Sequence, residues 1–519
     1  MRRKTGLLSL PEELRSYILS FLPWRDILRC TSLCKALRQT YMSSSELQYI
    51  TELGGQQLLP VSNNYICVSK RLQLLRDKAY AWFKFDIERS FKTISIQKQF
   101  YETTKTFIAD GHACFWNPFI ESVKIFPILP KPSQQTIERD FSPGSLCSVP
   151  NQNNIDIYMD PAQNLLAIVY AIRDDSFPSD EKFYIDLVTL DGDGTHPQAA
   201  GRTLFLSELC LPDNFLTQSL KLAVFGRHIA FRRTLPLFDE TDEPLFKSIW
   251  WLQIWDWQHS TTSNSVLSSP ITNQDSYYPM DFCFLGNDRF LIVSDSLKLY
   301  SIEDMSREPQ LLASFMLPVS TMDIRCFTPT NDIARSSYPQ IQAMWTSDPK
   351  NRLLALVIPS SLDFVVSTRI FFEPDFQGIT VPIPWEDWGP SNTRVFPHEF
   401  PCRLGVSGNR ALYAFPAAGA ALDAFDIAAE YRLHLMDFSP LAVKHYQQGL
   451  GRLVNEPSTV ETSQSRQTLT TSLPYVEFVS NRGFSYGEVI EIWLDKDKIY
   501  LFKENIDTNK LDELEVIEI

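Results

Sequence analysis

From Leu10 to Gly55 apolar residues recur at intervals of three and four. Leu14, Ile18, Phe21 and Leu22 stand at i, i+4, i+7 and i+8, one stripe of a helix. Pro11 sits where a helix begins without losing a hydrogen bond, and Glu12 and Glu13 follow at the positive end of its dipole. Pro23 ends that helix. Asp26 is placed to cap a second helix, in which Ile27, Cys30, Cys34, Leu37 and Tyr41 step by three and four. A third short helix is predicted from Ser45 through Leu47, Ile50 and Leu53 to Gly54-Gly55, a good C-terminal stop. Farther on, Val68, Leu72, Leu75, Ala79 and Trp82 predict a longer amphipathic helix within 66–88. It reads as a bridge between two units, with Lys70, Arg71, Arg76 and Lys78 on a solvated basic face.

From residue 90 the period changes from 3.6 to 2. Six runs share a form, an alternating apolar strand closed by an acidic or turn residue. They begin at Tyr184, Leu252, Leu297, Thr368, Tyr431 and Lys498. Several follow a second apolar run: Leu165–Ala171, Leu222–Phe231, Phe282–Val293, Leu353–Pro359 and Arg410–Phe415. Successive closing strands lie about 45 to 70 residues apart, which suits four-stranded blades with variable loops. Ile254-Trp255-Asp256 resembles the Trp-Asp step of a WD-repeat blade, without a Gly-His partner upstream. The expected fold class is therefore α plus all-β in several domains. Three N-terminal helices occupy 7–55, the linker helix 66–88, and a degenerate six- or seven-bladed β-propeller 90–519. Its first blade is expected over 90–130. A pair of irregular β-sandwiches is the alternative; a leucine-rich solenoid lacks its Leu-x-x-Leu-x-Leu period. Exposed loops are expected over 234–244, 382–401 and 456–472.

Composition narrows the function. The chain has 519 residues, 44% of them apolar and 13% aromatic, which suits two folded units rather than disorder. A net charge of −14 argues against a sequence-independent grip on nucleic acid or attachment to anionic membranes. Leu165 to Ile172 is the longest apolar run and falls short of a membrane span. Met1-Arg2-Arg3-Lys4 is too short for a signal peptide. Nine cysteines without a Cys-x-x-Cys, and no Asn-x-Ser/Thr acceptor, imply reduced thiols in the cytoplasm or nucleus.

Three short helices in about 45 residues carry more apolar surface than they can bury among themselves, so a partner is implied. The residues Leu10-Pro11-x-Glu13-Leu14, Ile18, Phe21-Leu22-Pro23, Asp26-Ile27-Leu28 and Leu33-Cys34-Lys35 resemble an F-box. Glu46-Leu47-Gln48-Tyr49 is similar to a version widespread in fungi. Where such segments often carry Trp, this chain has Leu37, which keeps the position apolar. The resemblance implies docking on a Skp-type adaptor, and through it on a cullin-RING ubiquitin ligase. The implied adaptor-binding residues are Leu10, Pro11, Glu13, Leu14, Ile18, Leu22, Leu28 and Cys34. The chain then reads as a non-catalytic substrate receptor whose β-rich domain holds a target protein. The alternatives are a propeller scaffold without a ligase role and a hydrolase- or lectin-like propeller. The last predicts a titratable cluster at the mouth of the central channel.

No chemistry-bearing motif survives its context. Gly483-Phe484-Ser485-Tyr486-Gly487 matches a hydrolase elbow, but a strand-like run follows and no His lies beyond His445, so a hairpin turn is expected. Asp191-Gly192-Asp193-Gly194-Thr195 reads as a tight turn, since Arg202 stands where a calcium loop needs Glu. The seven histidines lack metal-ligand spacing, and no phosphate-binding loop is visible, so neither metal nor cofactor is expected. Trp385-Glu386-Asp387-Trp388 is the remaining candidate. Trp385 and Trp388 are either anchors for a target protein or covers over a blade edge.

Overall fold

The N-terminal periodicity produces helices with one more break than it predicts. The computed structural model describes residues 6–61, 66–84, 91–95, 105–117 and 120–130. It then describes most of 136–519, apart from short connections and the longer segments 208–218, 269–279, 328–343 and 418–429. The helices are α1 (Glu12–Ser20), α2 (Trp24–Leu33), α3 (Lys35–Ser43), α4 (Ser45–Gly55) and α5 (Val68–Lys84). The expected second helix is thus two, because Cys34 is extended at φ −159° and ψ 162° between α2 and α3. The apolar spacing runs in phase across that break, which is why the sequence hides it. Asp26 does not cap α2 either. The helix starts at Trp24 behind Pro23, and Asp26 in its first turn pairs with Arg29 at 2.8 Å. Ser44 caps α4 by accepting from the Leu47 N–H.

Beyond residue 90 the described residues form seven sheets of four or five antiparallel strands. Blade 1 begins with Lys105–Ala109, blade 2 with Gln152–Asp160, blade 3 with Ser219–Phe225 and blade 4 with Asp281–Phe284. Blade 5 begins with Arg325–Phe327, blade 6 with Gly405–Ser407 and blade 7 with Val489–Asp495. First strands of neighbouring blades touch, as in blades 2 and 3, 4 and 5, 6 and 7, and 7 and 1, so they surround the axis. Apolar side chains on both sheet faces form one core between each neighbouring pair. Leu187 of blade 2 meets Phe231 of blade 3, Ile254 of blade 3 meets Phe290 of blade 4, and Leu299 of blade 4 meets Phe364 of blade 5. The last core, with Phe115, Tyr500 and Phe502, joins blade 7 to blade 1 and closes the ring. The protein is a seven-bladed β-propeller with N-terminal helices.

The outermost strand of blade 7 is Phe91–Ser95, paired with Lys510–Glu518 from the other end of the chain. Blade 1 therefore starts at Lys105 rather than near 90. Four of the six predicted closing runs are third strands of blades 2, 3, 4 and 6, and Lys498–Lys503 lies in the second strand of blade 7. Thr368–Phe372 is instead a 3-10 turn, because Leu362–Ser367 already forms the third strand of blade 5. Two expected loops are largely structured. Leu235–Phe238 and Pro244–Leu245 extend a blade 3 hairpin, and Ser458–Glu461 pairs with Thr468–Thr471. The buried Arg394 guanidinium holds that second hairpin by donating to Ser458 Oγ and the carbonyls of Glu456, Thr471 and Leu473. The Gly483–Gly487 stretch joins blade 6 to blade 7 rather than closing a hairpin, with 486–487 outside the described residues.

The helices sit on one face of the ring. Leu58–Pro60 pairs with Trp345–Ser347, which precede the second strand of blade 5. The Gln56 carbonyl accepts from Asn409 Nδ2, and Gln57 from the Asp348 N–H at 3.0 Å. Gly55 lies against Leu441 of α7 (Pro440–His445), which follows the third strand of blade 6. These contacts all fall on first-to-second and third-to-fourth connections. Because strands alternate in direction, the second-to-third connections lie on the opposite face, including the long hairpins of blades 2 and 3.

Trp82 of α5 is buried in the core between blades 6 and 7, with the Arg410 guanidinium 4.6 Å from its ring centre. Trp82→Ala is expected to cost about 3–5 kcal/mol in chemical denaturation, with the helices and the propeller unfolding less cooperatively. His228 is wholly buried beside Phe284, and neither ring nitrogen has a hydrogen-bond partner among the described residues. Burial pulls its pKa down to about 4, against the opposing charge of Asp256. An unfolded histidine titrates near 6.5, so stability is full above that pH and falls as pH drops toward 4, by about 3 kcal/mol at most. Replacing His228 by Phe should flatten stability between pH 7 and pH 4, measured by denaturant midpoints across that window.

Candidate functional site

Each helix of the N-terminal unit turns one face inward. Leu19, Ile27, Leu37 and Leu47 form its core, closed by half-buried Leu22, Cys30, Cys34, Tyr41 and Ile50. A second small core of Tyr49, Leu53, Leu72 and Leu75 fixes α4 to α5 and reaches Trp345 of the propeller. Arg71 stacks over Tyr49 at 5.0 Å, and Arg76 reaches Glu52 at 3.5 Å and Gln48 at 3.1 Å. The basic side of α5 is thus partly engaged with α4.

The outer face of α1 is apolar instead of polar. Leu14, Tyr17, Ile18 and Phe21 stand at i, i+3, i+4 and i+7 and are 49%, 63%, 41% and 70% exposed. The Tyr17 and Phe21 rings meet edge to face at 4.9 Å. Leu7 and Leu8 just before α1, Leu33 at the end of α2 and Met42 on α3 are exposed too. Each large apolar side chain contributes roughly 1.5–3 kcal/mol when fully removed from water. An uncovered set of this kind is the mark of a docking surface rather than of an ordinary soluble face.

The residues singled out from sequence are placed on this unit as follows. Pro11, Glu13, Leu14 and Ile18 are exposed; Leu10, Leu22, Leu28 and Cys34 are half-buried. None of the eight is sheathed by the propeller. Tyr17 and Phe21 also stand on this face, although the resemblance does not count them among the adaptor-binding residues. Their placement is a tertiary fact: Ser16 and Leu19 already fill the inward side of α1.

The tryptophans require a correction. Trp385 and Trp388 lie on α6 (Trp385–Asn392) inside the core between blades 4 and 5. Trp388 is fully buried, donates from Nε1 to the Met316 carbonyl at 3.0 Å, and packs edge-on to Phe315 and Trp385. Neither ring is open to a target. The loop expected at 382–401 is this helix followed by the outer strand Thr393–Pro397 of blade 5.

Charged groups on the first strands are paired between blades. Lys105 of blade 1 holds Asp156 of blade 2 at 2.6 Å. Lys221 of blade 3 holds Asp281 of blade 4 at 2.5 Å, and the other Asp281 oxygen accepts the Cys326 N–H of blade 5. Burial raises the Asp281 pKa, but Lys221, Arg232 and that N–H outweigh it and leave the carboxyl below its usual range. These groups bind blade to blade. No cluster of three or more His, Cys, Asp or Glu side chains placed to hold a metal occurs among the described residues.

No protein-family model matches the chain, and no curated protein is similar to it. Among solved structures, the WD40 domain of SCAP from fission yeast aligns over 83% of this chain and 98% of its own, with 6% identity and a TM-score of 0.32. Puromycin hydrolase aligns over 73% of this chain and 50% of its own, with 13% identity and a TM-score of 0.32. The N-terminal domain of Nup159 covers 83% and 96%, with 9% identity and a TM-score of 0.27. Likenesses this weak carry no argument, and the propeller is read from its own sheets and cores.

The packing of α4 on α2 depends on Gly54. A Cβ at this position would stand 2.3 Å from Trp24 Cδ1, so α4 and α2 pack only without one. Gly54→Ala is expected to displace the Trp24 ring and destabilise the helical unit by about 1–3 kcal/mol, visible as a shift in Trp fluorescence and in the denaturant midpoint.

Proposed function

We propose that the chain is the substrate-recognition subunit of an SCF-type cullin-RING ubiquitin ligase. The helical unit takes a Skp-type adaptor, and the propeller takes a target protein. The observation that carries this reading is the uncovered apolar stripe of α1, on a unit that is anchored to the propeller from its other side. The F-box-like residues at 10–34 give that stripe its proposed partner. A propeller is a scaffold suited to protein binding, and here the face away from the helices is left for a target. Catalysis under this reading is proximity. The receptor raises the effective concentration of a target lysine near a ubiquitin-charged enzyme, and no residue of this chain makes or breaks a bond.

The test replaces outward residues that carry no fold. Ile18→Glu and Phe21→Ser, singly and together, should remove a recombinant Skp-type adaptor and cullin from a pull-down while leaving the unfolding free energy within about 0.5 kcal/mol of the parent. Retention of the adaptor by the double variant would end the proposal. Capture of target proteins by the propeller should persist in all three variants.

A further inference from the structure

The stripe on α1 is presented by a polar clasp at the corner between α3 and α4. Ser43, exposed at the end of α3, sets its hydroxyl against the Glu12 carboxylate on the first turn of α1, and shares its one proton between that carboxylate and the Gln39 and Thr40 carbonyls of α3 at 2.9 and 3.2 Å. One residue on, Ser44 Oγ accepts from Ser16 Oγ of α1 at 2.8 Å while capping α4 through the Leu47 N–H. Behind the clasp α1 contributes only Leu19 as a fully buried apolar side chain. Its nine residues are too few to be helical alone, so its order depends on what holds it from outside.

The clasp lies among carboxylates. Glu12 and Glu13 stand on the first turn of α1, and Glu46 on the first turn of α4, three residues after Ser43. The cation of α1 is Arg15, one turn beyond Glu12 and half-buried. Ser43 thus combines an exposed hydroxyl, an acidic residue at +3 of the kind that acidic-directed serine kinases read, and a close approach to the Glu12 carboxylate that a neutral hydroxyl permits and a phosphate does not.

We propose that Ser43 is a phosphorylation site and that its phosphate releases α1 from the α3–α4 corner. The phosphoryl group of ATP passes to Ser43 Oγ, ADP leaves and the hydroxyl proton is released. The product has no proton to give Glu12 and adds nearly two negative charges against Glu12, Glu13 and Glu46. Repulsion replaces the hydrogen bond, and α1 with Leu14, Tyr17, Ile18 and Phe21 loses its fixed position. A consequence for adaptor docking rests on the proposed function; the loosening of α1 does not.

The experiment treats the full chain with ATP and an acidic-directed serine kinase, then follows amide exchange by mass spectrometry. Ser43 should take one phosphate, and exchange over Glu12–Ser20 should quicken at least tenfold while α4, α5 and the blades stay unchanged. Ser43→Ala should block the label, Ser43→Glu should reproduce part of the acceleration, and Glu12→Gln should halve it. No phosphate at Ser43, or exchange over α1 that is unchanged or slowed because Arg15 holds the phosphate, overturns the proposal. Adaptor pull-downs on the same samples separate the two readings. Loosening in a chain that never captures an adaptor ends the ligase reading alone, and capture without any response of α1 ends this one alone.

Discussion

Every blade of this propeller is apolar on both faces, and a sheet of that kind is stable only with a neighbour on each side. Seven sheets meet the condition by forming a ring, and the ring holds only if its last gap is closed. Closure comes twice. Phe115 packs against Phe502 across the joint, and Phe91–Ser95 adds the outer strand that blade 7 lacks in the C-terminal sequence. The strand that seals the ring follows directly on α5 in the chain. The helices are therefore not an appendage on a finished propeller: Trp82, two residues before the end of α5, lies inside the blade 6–blade 7 core, and the next described strand, Phe91–Ser95, belongs to blade 7 itself.

The helical unit solves the opposite problem. A small bundle cannot bury all its apolar residues internally, and this one spends its inward faces on two cores, one of its own and one against the propeller. What remains on the outer side of α1 is left exposed by the described residues. A polar outer face would have been the ordinary outcome for a surface helix. Glu12, Arg15 and Ser16 lie on the less exposed side of α1 while Leu14, Tyr17, Ile18 and Phe21 face water, which inverts that expectation.

Local alternation made the inner and middle strands legible, because their side chains contact neighbours on both sides and tolerate few polar residues. Leu165–Ala171 and Arg410–Phe415 announce themselves in this way. The outer strands did not, since Arg139–Phe141 and Thr203–Phe205 are three residues long and half exposed. Pairing of 91–95 with 510–518 leaves no local mark at all, so the first blade was placed too early and the blade number stayed open. The same limit explains α6. Two tryptophans flanked by carboxylates and prolines look like a surface loop, and only the meeting of blades 4 and 5 turns them inward. On the helical unit, residue types and spacing were legible, whereas the direction each side chain faces depends on packing against α3 and α4.

The placement of the helices constrains any account of how two partners are held at once. Among the described residues the helices meet the propeller through backbone pairing at Leu58–Pro60 and contact at Gly55 on connections of blades 5 and 6, and through Trp82 in the core between blades 6 and 7. Three attachments that are not collinear fix orientation as well as distance, so a body bound at α1 and one bound on the opposite propeller face would keep a constant separation. A flexible tether would lose part of that advantage to conformational entropy, because effective concentration falls as the linking segment gains freedom. The outward stripe of α1 is held to the rest of the unit by the buried Leu19 and by hydroxyl contacts to Ser43 and Ser44. With a single fully buried apolar side chain on α1, a small charge change at those polar contacts has a large effect on its position.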